Sequence, residues 1–487
     1  MDPLTNITQA GDRLRQAQKA EQELIDPEKV TQELLSAQDF HPTDLGNAQR
    51  LVTLHGAELR FCHAWGKWLI WDGRRWAKDE TDEISRRAKT VIKALYAEAG
   101  TLDEKERKPL AAHAIRSEAE GRVKAMIGLA KSEPTIPIRP TELDQDMMLL
   151  NVQNGTLDLR TGKLGPHRRE DYLTKLCPVD FDILSEAPTW QKFLDRIMAG
   201  NMDLIDFLQR AVGYSLTGDT TEQCLFMLHG TGKNGKSTFL NALQALIEDY
   251  ALQASFETFL LRDRGAIPND LARLKGARLV SAIEADAGRR LAESTVKQLT
   301  GQDRVTARFL HAEYFEFTPQ FKLWLAANHK PDIRGTDDAI WRRIMLIPFR
   351  VKIPESERDA KLSEHLKAEL PGLLAWAVKG CLAWQDFGLL PPDEVKKATQ
   401  KYRDEMDILG EFLEESCILE PDAEEMSADL YKSYTTWAEA SGILKKHVMT
   451  KTKLGLCLAE RGFEDGRVKG QRIWKGLRLK SPVESQQ

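Results

Sequence analysis

Gly230, Gly235, Lys236 and Ser237 stand at the spacing G-x-x-x-x-G-K-[ST], inside the stretch CLFMLHGTGKNGKSTFLNALQALI. Cys224 to His229 reads as an apolar strand, and Phe239, Leu240, Leu243 and Leu246 continue as a helix. The strand–loop–helix setting that gives this motif its meaning is therefore present. In a loop of this kind the residues Gly230, Thr231, Gly232, Lys233, Asn234, Gly235, Lys236, Ser237 and Thr238 wrap a phosphate chain. Glycines let backbone N–H groups close round the oxygens, and the helix N-terminus adds partial positive charge. Lys236 is placed to reach β and γ oxygens, and the Ser237 hydroxyl to ligate Mg²⁺. The chemistry implied is phosphoryl transfer or hydrolysis, which a phosphate loop alone does not resolve into kinase, switch or motor.

Three later segments narrow it. Ala277 to Asp286, ARLVSAIEAD, is a buried strand ending in acid. Glu284 at its tip can polarise an attacking water or hold the metal's shell, with Asp286 as the alternative acid; an exposed carboxylate after a strand is the plainer reading. Phe321 to Pro331, FKLWLAANHKP, is a second apolar strand ending in Asn328. A neutral amide there can donate to a γ-phosphate or orient water without adding charge. Ile340 to Phe349, IWRRIMLIPF, sets Arg342 and Arg343 between apolar residues. A guanidinium spreads over phosphate oxygens and stays charged, although an intramolecular ion pair is the plainer use of either.

The elements that must position these groups follow from periodicity. Residues 1–45 read as a charged helical leader and 46–187 as an accessory domain of mixed α+β character. His63 to Lys78, HAWGKWLIWDGRRWAK, puts Trp65, Trp68, Trp71 and Trp76 around an Asp72-Gly73 turn, which predicts a β-hairpin. Its tryptophans, interleaved with Lys67, Arg74 and Arg75, are either a small core or a surface on which bases stack. Ile84, Ala88, Val91, Ile92 and Leu95 fall at helical spacing, and Asn154-Gly155 and Thr161-Gly162 suggest further hairpins. Asp144-x-Asp146 has a spacing that can hold a metal, but a solvated helix start explains it as well. Residues 188–222 form an amphipathic helical collar, 223–352 an α/β nucleotide-binding core, and 353–403 a helical linker. Within 404–487, eleven acids and no Lys or Arg lie between Asp404 and Asp429, whereas eleven Lys or Arg face three acids between Lys445 and Lys480. That polarisation suggests one face for a partner and one for nucleic acid, and helices followed by a basic hairpin suggest a winged-helix-like domain.

The bulk numbers set limits. With 487 residues, 42% hydrophobic and 29% charged, the chain has room for about three ordinary domains. Its net charge of −5 requires any nucleic-acid surface to be local. No apolar run is long enough to span a membrane. Six scattered cysteines without a C-x-x-C pair argue against zinc or a disulfide scaffold and favour a reducing cytoplasm.

GTGKNGKST, LVSAIEAD, LTGQDRVTARFLHAEYFEFTP, LWLAANHKP and DDAIWRRIMLIPF, in that order, resemble the motor of superfamily 3 helicases. Among these, the phage and plasmid primase–helicases with poxvirus-type relatives are the most similar group. WLIWDGRRW and LLNVQNGTLDLRTGKLGPHRREDY resemble the region before that group's motor, so the likeness covers roughly residues 50 to 350; YKSYTTWAEASG and the basic tail resemble its terminal domain more loosely. The resemblance implies an α/β fold built on an AAA+ P-loop ATPase core, assembled as a ring, usually a hexamer, with ATP and Mg²⁺ between subunits. Lys236 and Ser237 then take Walker A roles, Glu284 Walker B and Asn328 sensor 1. Arg343, with Arg342 second, is the arginine finger. The DNA-gripping hairpin falls on RVTARFLHAEYFEF, with Arg308 and His311 near its tip and Lys297 and Arg304 as helpers. The expected function is an ATP-dependent replicative DNA helicase moving 3′ to 5′ on single-stranded and forked DNA, for phage, plasmid or mobile-element replication in a bacterial or phage-infected cell. The alternative is an ATP-switched DNA-binding initiator, loader or defence module. Only about fifty residues precede the resemblance and no primase metal site is evident, so priming is expected from a separate primase or polymerase partner.

Overall fold

The computed structural model describes residues 40–261, 269–284, 289–308, 313–333, 338–443 and 448–481. Contacts divide the chain into two compact units, residues 1–181 and 182–487.

In the first unit, helix α1 (Asp44–His55) leads into strands β1 (Leu59–Cys62), β2 (Lys67–Trp71) and β3 (Trp76–Lys78). Helices α2 (Glu83–Thr101), α3 (Glu104–Ser117) and α4 (Glu120–Ala130) follow, then β4 (Leu149–Val152), β5 (Gly155–Asp158) and β6 (Lys163–Gly165). The predicted stripe Ile84, Ala88, Val91, Ile92 and Leu95 is the buried face of α2. That helix starts where it does because the Asp79 carboxylate accepts the Glu83 and Ile84 amides. The tryptophan hairpin forms as β2 and β3, with Trp71 opposite Trp76. Trp68 and Trp76 are buried, which makes the set chiefly a core, and Trp65 stays exposed. Asp144 and Asp146 begin no helix. Asp144 accepts the Thr174 amide and hydroxyl, and Asp146 pairs with Arg160, so both have structural partners.

The second unit opens with the collar helices α5 (Pro188–Ile197) and α6 (Met202–Leu216), followed by β7 (Leu225–His229), α7 (Lys236–Ile247), β8 (Ala251–Gln253), α8 (Asn269–Ala272), β9 (Leu279–Ile283) and α9 (Glu293–Thr300). Next come β10 (Val305–Ala307), β11 (Phe315–Phe317), β12 (Lys322–Ala327), α10 (Asp338–Trp341) and β13 (Ile344–Pro348). Five of these strands form one parallel sheet in the order β13-β7-β12-β9-β8. Strands covered on both faces are mostly apolar, and every residue of β12 is buried, Lys322 included. Beyond the sheet run α11 (Leu362–Ala368), α12 (Leu370–Phe387) and α13 (Asp393–Met406). α13 lies along β13 and pairs with its backbone: the Thr399 hydroxyl accepts the Leu346 amide and donates to the Ile344 carbonyl. The edge strand is thereby covered.

The terminal region contains α14 (Ile408–Ser416), β14 (Cys417–Ile418), β15 (Glu424–Met426), α15 (Ser427–Ala440), α16 (Lys451–Glu460), β16 (Glu464–Val468), β17 (Gln471–Lys475) and β18 (Arg478–Leu479). The predicted basic hairpin is β16–β17. It turns at Lys469-Gly470, both with positive φ, the geometry that a two-residue hairpin turn requires. Phe412, Leu430, Tyr434, Leu458 and Trp474 form the core beneath it.

α6 and α12 cross at glycines. A Cβ on Gly213 would lie 2.0 Å from the Cys381 amide nitrogen, and one on Gly380 2.0 Å from the Gln209 carbonyl oxygen. Gly213→Ala should therefore destabilise the second unit by roughly 2 kcal/mol or more, as overpacking does. Gly128→Ala, on α4 with open space around its Cβ, should stabilise the first unit by about 0.5–1 kcal/mol. Calorimetric unfolding of the two variants checks both signs; a tolerated Gly213→Ala would show that the helices do not meet there.

Candidate functional site

Three neighbouring strands end at one place. Ala327 of β12 lies opposite His229 of β7, and Ala326 opposite Ile283 of β9. The residues that follow are Gly230, Asn328 and Glu284, so the predicted loop, amide and acid converge at the carboxyl ends of the sheet. Open α/β sheets bind ligands at such ends. The loop's backbone reverses through positive φ at Gly232, Lys233 and Gly235. It is clamped from outside: the Asn234 amide donates to the Phe349 carbonyl (3.2 Å) and the Ile353 N–H to the Lys233 carbonyl (2.9 Å). α5 backs it so closely that a Cβ on Gly235 would come 2.7 Å from Ile197.

Lys236 is buried at the start of α7. Its ammonium donates to the Gly230 carbonyl (2.6 Å), Asn234 Oδ1 (3.2 Å) and Asn328 Oδ1 (3.1 Å). Burial pulls its pKa below the usual lysine value, with Glu284 pulling the other way. All three of these acceptors are neutral amide oxygens. A buried cation so placed suits an anionic ligand, and the cradle fits a phosphate chain. Thr231, Lys233 and Ser237 are exposed around it and Thr238 is half-buried. Ser237, in the first turn of α7, is free to face a metal ion. Glu284 Oε2 accepts the Asn328 and His329 amides at 2.7 and 2.8 Å. The acid therefore fixes the loop that carries Asn328. Asp286 lies outside the described residues.

The two arginines differ in burial. Arg343 is only 7% exposed. Its Nε donates to the Thr300 hydroxyl (3.2 Å) and its Nη1 to the Ala339 carbonyl, which ties it to its own chain. Arg342 is exposed and is the better placed of the two to meet a second molecule. Thr300 was invisible to sequence reasoning because nothing in its neighbourhood marks it as an arginine's partner.

The two flanks of the predicted hairpin pair antiparallel as β10 and β11, Val305 opposite Phe317 and Ala307 opposite Phe315. Arg308 directly follows β10, its guanidinium 4.8 Å from the Tyr314 ring. Tyr314 is 62% exposed. Sequence reasoning passed over it, although the alternation in EYFEF marks the side of the strand it occupies. Arg304 is exposed and pairs with Glu316 at 3.5 Å, and Lys297 is half-buried on α9. His311 lies outside the described residues. All six cysteines are buried and none forms a disulfide.

Residues 48–199 match the family described as D5 N terminal like, and residues 228–343 match a family of unknown function, DUF5906. A protein of Acanthamoeba polyphaga mimivirus, provisionally named a helicase, is 26% identical over 326 residues, covering 61% of this chain and 34% of its own length. Another of Frog virus 3, also provisionally named a helicase, is 24% identical over 382 residues, covering 61% and 39%. One of African swine fever virus, provisionally named a primase, is 26% identical over 339 residues, covering 63% and 35%. The chain thus spans between a third and two fifths of the length of these relatives. The matches fit the phage and viral primase–helicase group.

Glu284→Ala should free the Asn328 and His329 amides, and Glu284→Gln should keep them bonded through its amide oxygen. Hydrogen exchange in the peptide spanning residues 325–333 is expected to quicken in the first variant alone. Equal exchange in both would show that the carboxylate does not hold this loop.

Proposed function

We propose that this chain is an ATP-driven DNA helicase of the superfamily 3, AAA+ kind, acting in replication. The observation that carries this reading is the convergence of Lys236, Asn328 and Glu284 at the ends of three adjacent parallel strands. The helicase and primase names of the relatives support the replication context. ATP is the substrate, its phosphates in the loop from Gly230 to Thr238. Mg²⁺ would be held by Ser237 with Glu284 or Asp286, and would offset charge on the phosphates. Lys236 binds phosphate oxygens, Glu284 takes a proton from the attacking water, and Asn328 orients that water against the γ-phosphate. Arg342 is the group offered to the phosphates of a neighbouring subunit, so the working form is a ring, usually of six. Such an arginine supplies about 10³–10⁵ in rate where it has been measured.

The β10–β11 hairpin is the candidate grip on single-stranded DNA. Arg308 attracts phosphate and Tyr314 offers a stacking face, contacts that are sequence-tolerant. Travel from 3′ to 5′ is the expectation that the family resemblance supplies. In this reading the terminal region is winged-helix-like and meets duplex DNA through Lys451 and Lys453 of α16 and Arg467, Lys469 and Arg472 of the hairpin, and a separate primase or polymerase is the expected partner. Among the described residues no helix is long and apolar enough to cross a membrane.

A forked duplex tests the reading. ATP hydrolysis stimulated by single-stranded DNA should accompany strand release, and both should vanish in Lys236→Ala. Robust hydrolysis without release would contradict the helicase and favour an ATP-switched DNA-binding protein. Mixing wild-type chains with Arg342→Ala should lower hydrolysis below simple dilution; a linear mixing curve would remove the shared site.

A further inference from the structure

Asn328 begins a short loop, Asn328 to Pro331, whose far end is held by a helix distant in sequence. The Lys330 ammonium lies 2.5 Å from Glu405 Oε2 and 5.3 Å from the centre of the Tyr402 ring. The Tyr402 hydroxyl donates to the Pro331 carbonyl. Tyr402 is fully buried, edge-on to Trp341 at 5.2 Å. Both Tyr402 and Glu405 belong to the last turn of α13. One residue along, Arg403 pairs at 2.7 Å with Asp338, the first residue of the helix that leads to Arg342. A single helix end therefore grips the loop bearing Asn328 and the segment bearing the exposed arginine.

The same helix end joins the terminal region. The residue after α13 is Asp407, whose carboxylate accepts the Gly410 amide (3.0 Å) at the start of α14 and pairs with Arg461. Arg461 immediately follows α16, the helix that carries Lys451 and Lys453. Contacts thus run without a break from α16 through Asp407 and the end of α13 to Lys330 and Pro331, and on to Asn328 against Lys236.

An ion pair between partly exposed groups contributes little by itself. Here it is combined with a buried hydroxyl on the loop's own carbonyl and a ring beneath the ammonium. Losing a buried partner is costly and is relieved by movement of the group left behind. A shift of this loop would carry Asn328 away from Lys236, and misplacement by about 1 Å costs up to 10²-fold in rate.

We infer that Lys330, Tyr402 and Glu405 are positioning residues that hold Asn328 in line with Lys236 and make ATP turnover answer to the terminal region. This rests on the ATPase reading above. Contiguity alone does not demonstrate coupling, so the test is a charge-reversal cycle in the full chain, read as steady-state ATP hydrolysis with oligo-dT present. Lys330→Glu and Glu405→Lys should each lower kcat by roughly tenfold or more with KM for ATP little changed. The double variant should return to within about threefold of wild type, a non-additivity expected only of groups in contact. Should the first set unfold, Lys330→Met and Glu405→Gln remove the pair without reversing charge, and there the double variant should cost no more than the worse single. Arg461→Ala should keep basal hydrolysis and lose much of the change in kcat that duplex DNA, the ligand read for the terminal region, produces in the wild-type chain; a full response would remove the terminal region from the latch. Single variants with wild-type kcat, a charge-swapped double variant no better than the worse single, or losses that simply add in the neutral set would overturn the latch while leaving the ATPase reading intact. A wild-type chain without ATPase activity would overturn that reading and the latch with it.

Discussion

A buried ammonium whose three acceptors are neutral amide oxygens is the constraint on which the rest of the second unit depends. Lys236 meets the Gly230 carbonyl, Asn234 Oδ1 and Asn328 Oδ1. Those dipoles offset part of the cost of removing the charge from water, which is several kcal/mol for an ion. An anion brought within about 4 Å would contribute roughly a further 4 kcal/mol at the effective dielectric of a protein surface. Three strands, a loop, one helix and the segment after β13 surround the lysine. β7 delivers the loop, β12 delivers Asn328, β9 delivers the acid that fixes Asn328, and α5 and the segment after β13 press the loop into place.

The other end of β12 shows what a lysine with no such purpose looks like. Lys322 is buried as deeply, but its ammonium is enclosed by the Thr217 and Asp219 carbonyls and the Tyr214 ring. Burial holds its pKa well below the usual lysine value. It ties the carboxyl end of α6 to the sheet. One strand thus carries a structural cation at its start and ends in the amide that meets the functional one. The sheet edge beside β7 is closed by α13, and the same helix reaches the loop after β12. Support for the sheet and control over its ligand end fall to one element.

The site was largely legible in the sequence because its parts are local. A glycine-rich turn between an apolar strand and a helix, an acid after one apolar strand and an amide after another can each be recognised within ten residues, and the parallel register brings them together. The arginine pair was legible, but not which of the two is buried. Which of two adjacent residues turns inward is decided by Thr300, on another helix. The tryptophan cluster was similarly undecided until β1 and α2 supplied the apolar surroundings that bury Trp68. Lys330 and Glu405 are 75 positions apart, and no periodicity links them. Tyr402 reads from sequence as one more apolar position on an amphipathic helix. Contacts of this kind arise from how α13 lies on β13, which no local pattern encodes.

The placement of Asn328 against Lys236 is the claim most open to direct measurement. Replacing Asn328 by Asp preserves shape while adding a carboxylate that pairs with the ammonium and repels a γ-phosphate. Equilibrium titration of fluorescent ATP and ADP analogues into Asn328→Asp should show ATP weakened by roughly tenfold or more, about 1.4 kcal/mol, beyond any loss of ADP. Equal weakening of the two nucleotides, or none, would place Asn328 away from the terminal phosphate and contradict the site described.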